Sequence, residues 1–266
     1  MTTILVDHPR PGVRVLRLNR PDRLNTMTHE LLTDLHAALD DADASDDVRV
    51  VVLTGEGRAF CAGLDLDGYA DDFDATPGPV RGGLARQREI ASAAENIRDL
   101  SKPVIAAVNG PAAGGGLALV LASDIRIAST DAVFSVAFIR AGFSACDIGT
   151  SWLLPRIVGA GRAHELMLTG RRFGAEEAER IGMLYRVVQP GDLMDVAMGK
   201  ADEILRNPPF SVELTKQGMW LALEQPSFHA AVELENRQQI LTSLTEDRAE
   251  ATAAFLEKRD PQYQNR

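Results

Sequence analysis

The chain has 266 residues, 45% of them hydrophobic and 25% charged, with a formal net charge of −10, the composition of an ordinary soluble globular protein with enough chain for a substantial core in one or two domains. The acidic balance excludes the basic footprint of a nucleic-acid binder and disfavours electrostatic docking on anionic membranes. No apolar run reaches membrane-spanning length, Met1-Thr2-Thr3-Ile4 lacks a basic segment followed by a long apolar one, and Cys61 and Cys146 have no metal-ligand spacing, so the expected location is a reducing compartment, the cytoplasm.

Taken in order, residues 4–6 and 13–18 read as two strands joined by a turn at 9–12. Asn19-Arg20-Pro21 ends the second strand, and Thr28 caps a helix to about Asp41 with Leu31, Leu32, Leu35 and Leu39 on its apolar face. The acidic run 40–47 reads as a solvated connection, and 49–53 as a buried strand followed by the loop 54–57. Ala62-Gly63 breaks the stretch 58–66 just past a strand, which lets a backbone N–H face inward. Residues 68–83, rich in Asp, Pro and Gly, predict a mobile loop, either a cover for a site or a surface loop, before a helix over 84–100.

The stretch that organises the chain comes next. Residues 104–108 form a buried strand that stops at Asn109-Gly110-Pro111, and Gly114, Gly115 and Gly116 lead into the apolar helix 117–122. Two readings stand for these glycines. One is a tight turn packing a helix against a sheet. The other is a close main-chain approach in which N–H groups at the helix start, with the helix dipole behind them, hold an anionic oxygen. No Lys follows the glycines as in a phosphate loop, and their spacing is not GxGxxG. The remaining anion is one made during chemistry on a carbonyl. Residues 124–128 give another strand, and the strand–helix rhythm predicts an α/β core over 1–190. Beyond Gly159 the pattern is helical: 162–170 and 175–182 end in Gly, and 185–188 is a short strand. Four helices (192–206, 210–224, 228–243 and 246–258) then fill a C-terminal region, 191–266.

The run Asn109-Gly110-Pro111-Ala112-Ala113-Gly114-Gly115-Gly116, followed by Ala122-Ser123-Asp124-Ile125-Arg126-Ile127-Ala128, resembles the signature of the enoyl-CoA hydratase/isomerase (crotonase) family, and the resemblance covers nearly the whole chain. It implies a crotonase-like β/α spiral core with a helical C-terminal region that assembles into trimers or dimers of trimers. It also implies an acyl-CoA thioester as substrate, with no metal and no separate cofactor because coenzyme A is part of that substrate. By the same resemblance Leu64, the residue after Gly63, and Gly115, the middle glycine, supply two main-chain N–H groups to the thioester oxygen. Ala62, Gly63, Asp65, Leu66, Gly114 and Phe138 are assigned to the substrate site. Arg23 and Leu24 fall in the stretch used for the adenine–phosphate end, where Arg23 can pair with a phosphate. Phe255 and Lys258 match positions that reach the CoA nucleotide, in some members from a neighbouring subunit; packing for Phe255 and a solvated charge for Lys258 are the alternatives. On a chain of charge −10, a polyanionic ligand needs such local basic groups.

The general acid and base depart from the hydratase pattern. Hydratases of the family carry one Glu two residues beyond the third glycine and another four residues before the glycine matching Gly142; here these positions are Ala118 and Phe138. Neither side chain holds a proton, so hydration by the two-Glu route is not expected. One carboxylate remains nearby, Asp147. Dienoyl-CoA isomerases and 4-chlorobenzoyl-CoA dehalogenases carry a functional Asp in the same loop. The match to each is partial: the former have a carboxylate at the Phe138 position, and the latter a His that none of His8, His29, His36, His164 and His229 matches. If Asp147 faces an apolar pocket beside Phe138 and Phe143, desolvation raises its pKa and suits it to proton transfer. Its other reading is a turn or N-cap residue before a helix at Thr150. The expected activity is double-bond isomerisation with Asp147. A catalytically silent acyl-CoA-binding protein is the alternative, and a dinucleotide-dependent oxidoreductase is disfavoured by the glycine spacing.

Overall fold

Alternating apolar residues at the start of the chain form an antiparallel hairpin of β1 (Ile4–Arg10) and β2 (Gly12–Leu18) in the computed structural model, which describes residues 2–66 and 78–266. After α1 (His29–Ala44), the strand β3 (Val48–Gly55) pairs in parallel with β2. After α2 (Pro79–Asp99), β4 (Val104–Val108) adds in parallel to β3. The chain then makes the short β5 (Ala112–Ala113) and α3 (Gly115–Ala122) before β6 (Ile125–Ser129) returns beside β4. A short β7 (Val133–Ser135) is followed by α4 (Thr150–Val158), α5 (Ala160–Thr169), β8 (Phe173–Gly174) and α6 (Ala175–Arg180). Then β9 (Arg186–Val188) completes a six-stranded sheet of order β1-β2-β3-β4-β6-β9. β5, β7 and β8 form a second, three-stranded sheet. Its strands of two or three residues carry too little periodicity to be legible in sequence.

Several expected elements are longer than their sequence patterns. Thr28 caps α1 by accepting from the Leu31 N–H (3.2 Å), and the helix runs on through the start of the acidic run to Ala44. α2 begins at Pro79, a residue suited to the first helical position, five residues before the expected start. Of the loop expected over 68–83, residues 68–77 lie outside the described residues.

The large sheet is apolar on both faces, which its parallel strands require. Val51, Leu53, Val104 and Ala106 face a core shared with α1, α2 and α3, in which every residue of α3 is buried. Val13, Val15, Val50, Val52, Ile105, Ala107 and Ile127 face the other way and pack on Leu193, Ala197, Met198 and Ala201 of α7 (Leu193–Leu205). The first helix beyond residue 190 is therefore the cover of the second face, so the two regions divided there share a core.

Three more helices follow, α8 (Pro209–Glu224), α9 (Phe228–Ser243) and α10 (Glu246–Glu257). α8 is fixed to the sheet by a buried ion pair: Lys216 Nζ lies 3.0 Å from Asp124 Oδ2 and also donates to the carbonyls of Ile97 and Lys102. Asp124 accepts as well from Trp220 Nε1 (2.8 Å) and from the Val104 N–H (2.7 Å) at the head of β4. Burial pushes the Lys216 amine down and Asp124 pulls it back up. α9, by contrast, buries none of its residues, leaving Phe228, Ile240 and Leu241 exposed. Among the described residues no helix is long and apolar enough to cross a membrane.

Candidate active site

The two glycine-bearing segments meet at the mouth of the core. Segment 61–65 runs between Met27 on one side and β5 on the other, bridging Leu64 to Met27 and Cys61 to Ala112 in parallel fashion. Its hydrogen bonds are largely accounted for. The Ala62 N–H donates to the Leu24 carbonyl (3.0 Å), the Met27 N–H to the Gly63 carbonyl (2.8 Å), the Asp65 N–H to the Met27 carbonyl (2.9 Å) and the Ala113 N–H to the Cys61 carbonyl (3.0 Å). On the facing turn, the Gly114 N–H donates to the Ser135 carbonyl in the small sheet (3.0 Å). Other amides of this junction have no protein partner among the described residues: those of Gly63 and Leu64 on the segment, and those of Gly115, Gly116 and Leu117 in the first turn of α3; Gly63, Leu64 and Gly115 line the cleft described below. Unpaired main-chain donors at a helix start favour an anionic oxygen.

Glycine is required here for two reasons. Gly114 adopts φ +52°, ψ −119°, a conformation closed to other residues by their Cβ. At Gly116 a Cβ would lie 2.0 Å from the Cys61 carbonyl oxygen, so the close approach of the two segments excludes any side chain.

These segments form one wall of a cleft of about 660 Å³, counting its open mouth. Ala62, Gly63, Leu64, Leu66, Gly114, Gly115 and Phe138 all line it, together with Met27, Ile90, Phe143 and Ile148. Asp147 is its one titratable lining residue among those described. The Asp147 side chain does not cap α4, whose N-cap is Gly149; its main-chain carbonyl instead accepts from the Thr150 N–H (2.8 Å). The carboxylate is half-buried, and desolvation raises its pKa above the usual Asp value, opposed by hydrogen bonds from the Ile148 N–H and Gln87. Phe138 stands in a short 3-10 helix, Ala137–Ala141, with its ring 3.5 Å from where a Gly114 Cβ would be. Ala118 is fully buried in α3 and presents only a methyl group.

The other expected residues sit elsewhere. Asp65, assigned to the substrate, does not line the cleft; its buried carboxylate accepts from Arg20 Nη2 (2.9 Å) and Thr26 Oγ1 (3.2 Å), so it braces the loop from behind. Arg23 is exposed at the end of the 3-10 turn Pro21–Arg23, and Leu24 follows it in the left-handed region (φ +51°). Phe255 is 83% exposed on α10 and Lys258 ends that helix; neither joins the cleft of its own chain. Met27 and Gln87 were not foreseen. Both reach the cleft through tertiary packing, Gln87 across 60 positions of sequence to Asp147, and no local pattern announces such a contact. Among the described residues no group of three or more His, Cys, Asp or Glu side chains is placed to hold a metal ion.

Comparison with known proteins bears on this geometry. The profile of the enoyl-CoA hydratase/isomerase family matches residues 9–266. A probable enoyl-CoA hydratase of Mycobacterium bovis is 41% identical over 266 residues, covering 99% of this chain and 93% of the relative. The 1,2-epoxyphenylacetyl-CoA isomerase of Escherichia coli is 38% identical over 265 residues, covering 99% of both. The crystal structure of an enoyl-CoA hydratase from Bacillus anthracis superposes with a TM-score of 0.93 at 35% identity, covering 99% of this chain and 100% of that one.

Proposed function

Because the chain belongs to the enoyl-CoA hydratase/isomerase family and has its crotonase fold, we propose that it moves a double bond within an acyl-CoA thioester and does not hydrate it. The observation that carries this reading is the make-up of the site among the described residues: main-chain N–H groups without protein partners, those of Leu64 and Gly115 among them, one carboxylate in the cleft lining, and hydrocarbon at both positions where a hydratase needs a Glu, Phe138 in the lining and Ala118 buried in α3. The thioester oxygen sits against the Leu64 and Gly115 N–H groups. The Asp147 carboxylate removes a proton from the carbon next to the thioester. The electron pair delocalises over the double bond onto the oxygen, giving a dienolate held by the two amides. The same carboxyl returns the proton at the γ-carbon, and the double bond has shifted by one position with no atom gained or lost. Hydration needs a further group to activate water, and the methyl of Ala118 and the ring of Phe138 have none.

The Escherichia coli relative is by name an isomerase of an epoxide and the mycobacterial one a hydratase, so the relatives' names favour neither reaction. We extend the proposal to a cytoplasmic homotrimer or dimer of trimers that covers the exposed α9. In that assembly Phe255 and Lys258 serve a neighbouring copy's CoA, and Arg23 and Leu24 its own. The test is mass spectrometry of a panel of enoyl- and dienoyl-CoA thioesters turned over in deuterium oxide. Deuterium at the α- or γ-carbon without a mass gain of water is expected. Gain of water would overturn the isomerase reading, and CoA binding without any conversion would replace it with a silent acyl-CoA carrier.

A further inference from the structure

The Asp147 carboxylate is held asymmetrically. Its Oδ1 accepts two hydrogen bonds, from the Ile148 N–H (2.8 Å) and from Gln87 Nε2 (2.5 Å). No donor reaches Oδ2 among the described residues. Ile148, the donor of the first bond, takes φ +45°, a left-handed conformation that β-branched residues rarely adopt. The second comes from Gln87, an exposed residue of α2 that also lines the cleft. We propose that Gln87 is a positioning residue for Asp147: by holding Oδ1 it leaves Oδ2 as the one oxygen that takes the substrate proton and returns it. This rests on the reading of Asp147 as the proton carrier and adds how that carrier is aimed.

The identity of the donor matters. A Lys or Arg in its place would add a positive charge that weakens the base, whereas a neutral amide orients the carboxylate and leaves it basic. Other charged or titratable side chains near this contact are Arg86, Arg88 and Glu89 beside Gln87 on α2, Arg140 on the Ala137–Ala141 turn, and the Cys146 thiol next to Asp147. None of them lines the cleft, and the Glu89 carboxylate is engaged by His29.

The test compares Gln87→Met, which keeps length and loses the donor, with Gln87→Glu, and uses Asp147→Asn as the reference. Deuterium incorporation from deuterium oxide into an enoyl-CoA that the parent enzyme turns over is followed across pH. For Gln87→Met, kcat is expected to fall about tenfold with KM little changed, and the acid limb of kcat/KM to move to higher pH because the carboxylate has lost a donor. Gln87→Glu should move that limb further, through like charge. A merely structural Gln87, exposed as it is, would leave the limb in place. A Gln87→Met profile that overlays the parent's while Asp147→Asn is inactive would overturn the role of Gln87 alone. An Asp147→Asn enzyme as active as the parent would overturn the proton-carrier reading itself.

Discussion

One wall of the cleft is made of main chain and the other of side chains. On the first, the Leu64 and Gly115 amides are fixed by a lattice of backbone hydrogen bonds running from Leu24 and Met27 through segment 61–65 to the turn and on to Ser135 in the small sheet. Gly116 there has no room for a side chain. On the second wall, Phe138, Phe143, Asp147 and Gln87 project from two irregular segments and a helix. On the proposed reading, the first wall holds the charge of the thioester oxygen and the second decides which proton moves. By the same reading, a fold can keep the amide wall and change its reaction by altering side chains around it, Phe138 opposite and Ala118 within α3.

The largest effect should come from disturbing the main-chain wall. Gly116→Ala places a methyl group against the Cys61 carbonyl oxygen, a backbone atom that cannot yield. The turn must shift, and Gly115 with it. Turnover should fall about 10²–10³-fold, as when one anion-holding donor is lost, measured as deuterium incorporation at saturating substrate. Near-parental turnover would show that the wall is softer than its geometry. A smaller, graded effect tests the other wall. In the proposed mechanism Asp147 works as a carboxylate, and its pKa is raised by desolvation above the ordinary 3.8. Activity should be full above that raised value and fall about tenfold for each pH unit below it. An acid limb at the ordinary Asp value or lower would mean the group is solvated during turnover. The smallest signal is chemical. Burial pushes the Cys61 thiol, behind the amide wall, up to about 12, while Cys146 is exposed beside Asp147. A thiol reagent at neutral pH should label one cysteine in the native protein and two after denaturation. Two in the native state would reveal an amide wall that opens.

What was legible in the sequence follows the same division. The amide wall is written in contiguous residues, Gly63-Leu64 and Gly114-Gly115-Gly116, whose glycines are themselves the signal. The amphipathic helices and β4 announce themselves by period, and residues 104–108 are a strand with the expected bounds. The side-chain wall depends on contacts between distant segments. Asp147 was visible as the one acid of its loop, but its hydrogen bond to Gln87 and the packing of Met27 against Gly115 depend on how α2 and the Met27 segment fold over the cleft. Likewise α7 follows a turn after β9 and reads as the start of a helical tail, although its apolar stripe meets the sheet. Periodicity shows that a stripe exists without naming the surface that receives it.

Asp124 gives this last point a mechanical side. Its carboxylate ties the head of β4, the strand that runs into the glycine turn, to Lys216 and Trp220 near the middle of α8. Losing one member of such a buried pair costs about 3–5 kcal/mol, so α8 cannot swing away without dragging on that strand. A neighbour that grips the outer helices would, through this one rivet, stiffen the strand that leads into the amides, coupling assembly to the readiness of the site.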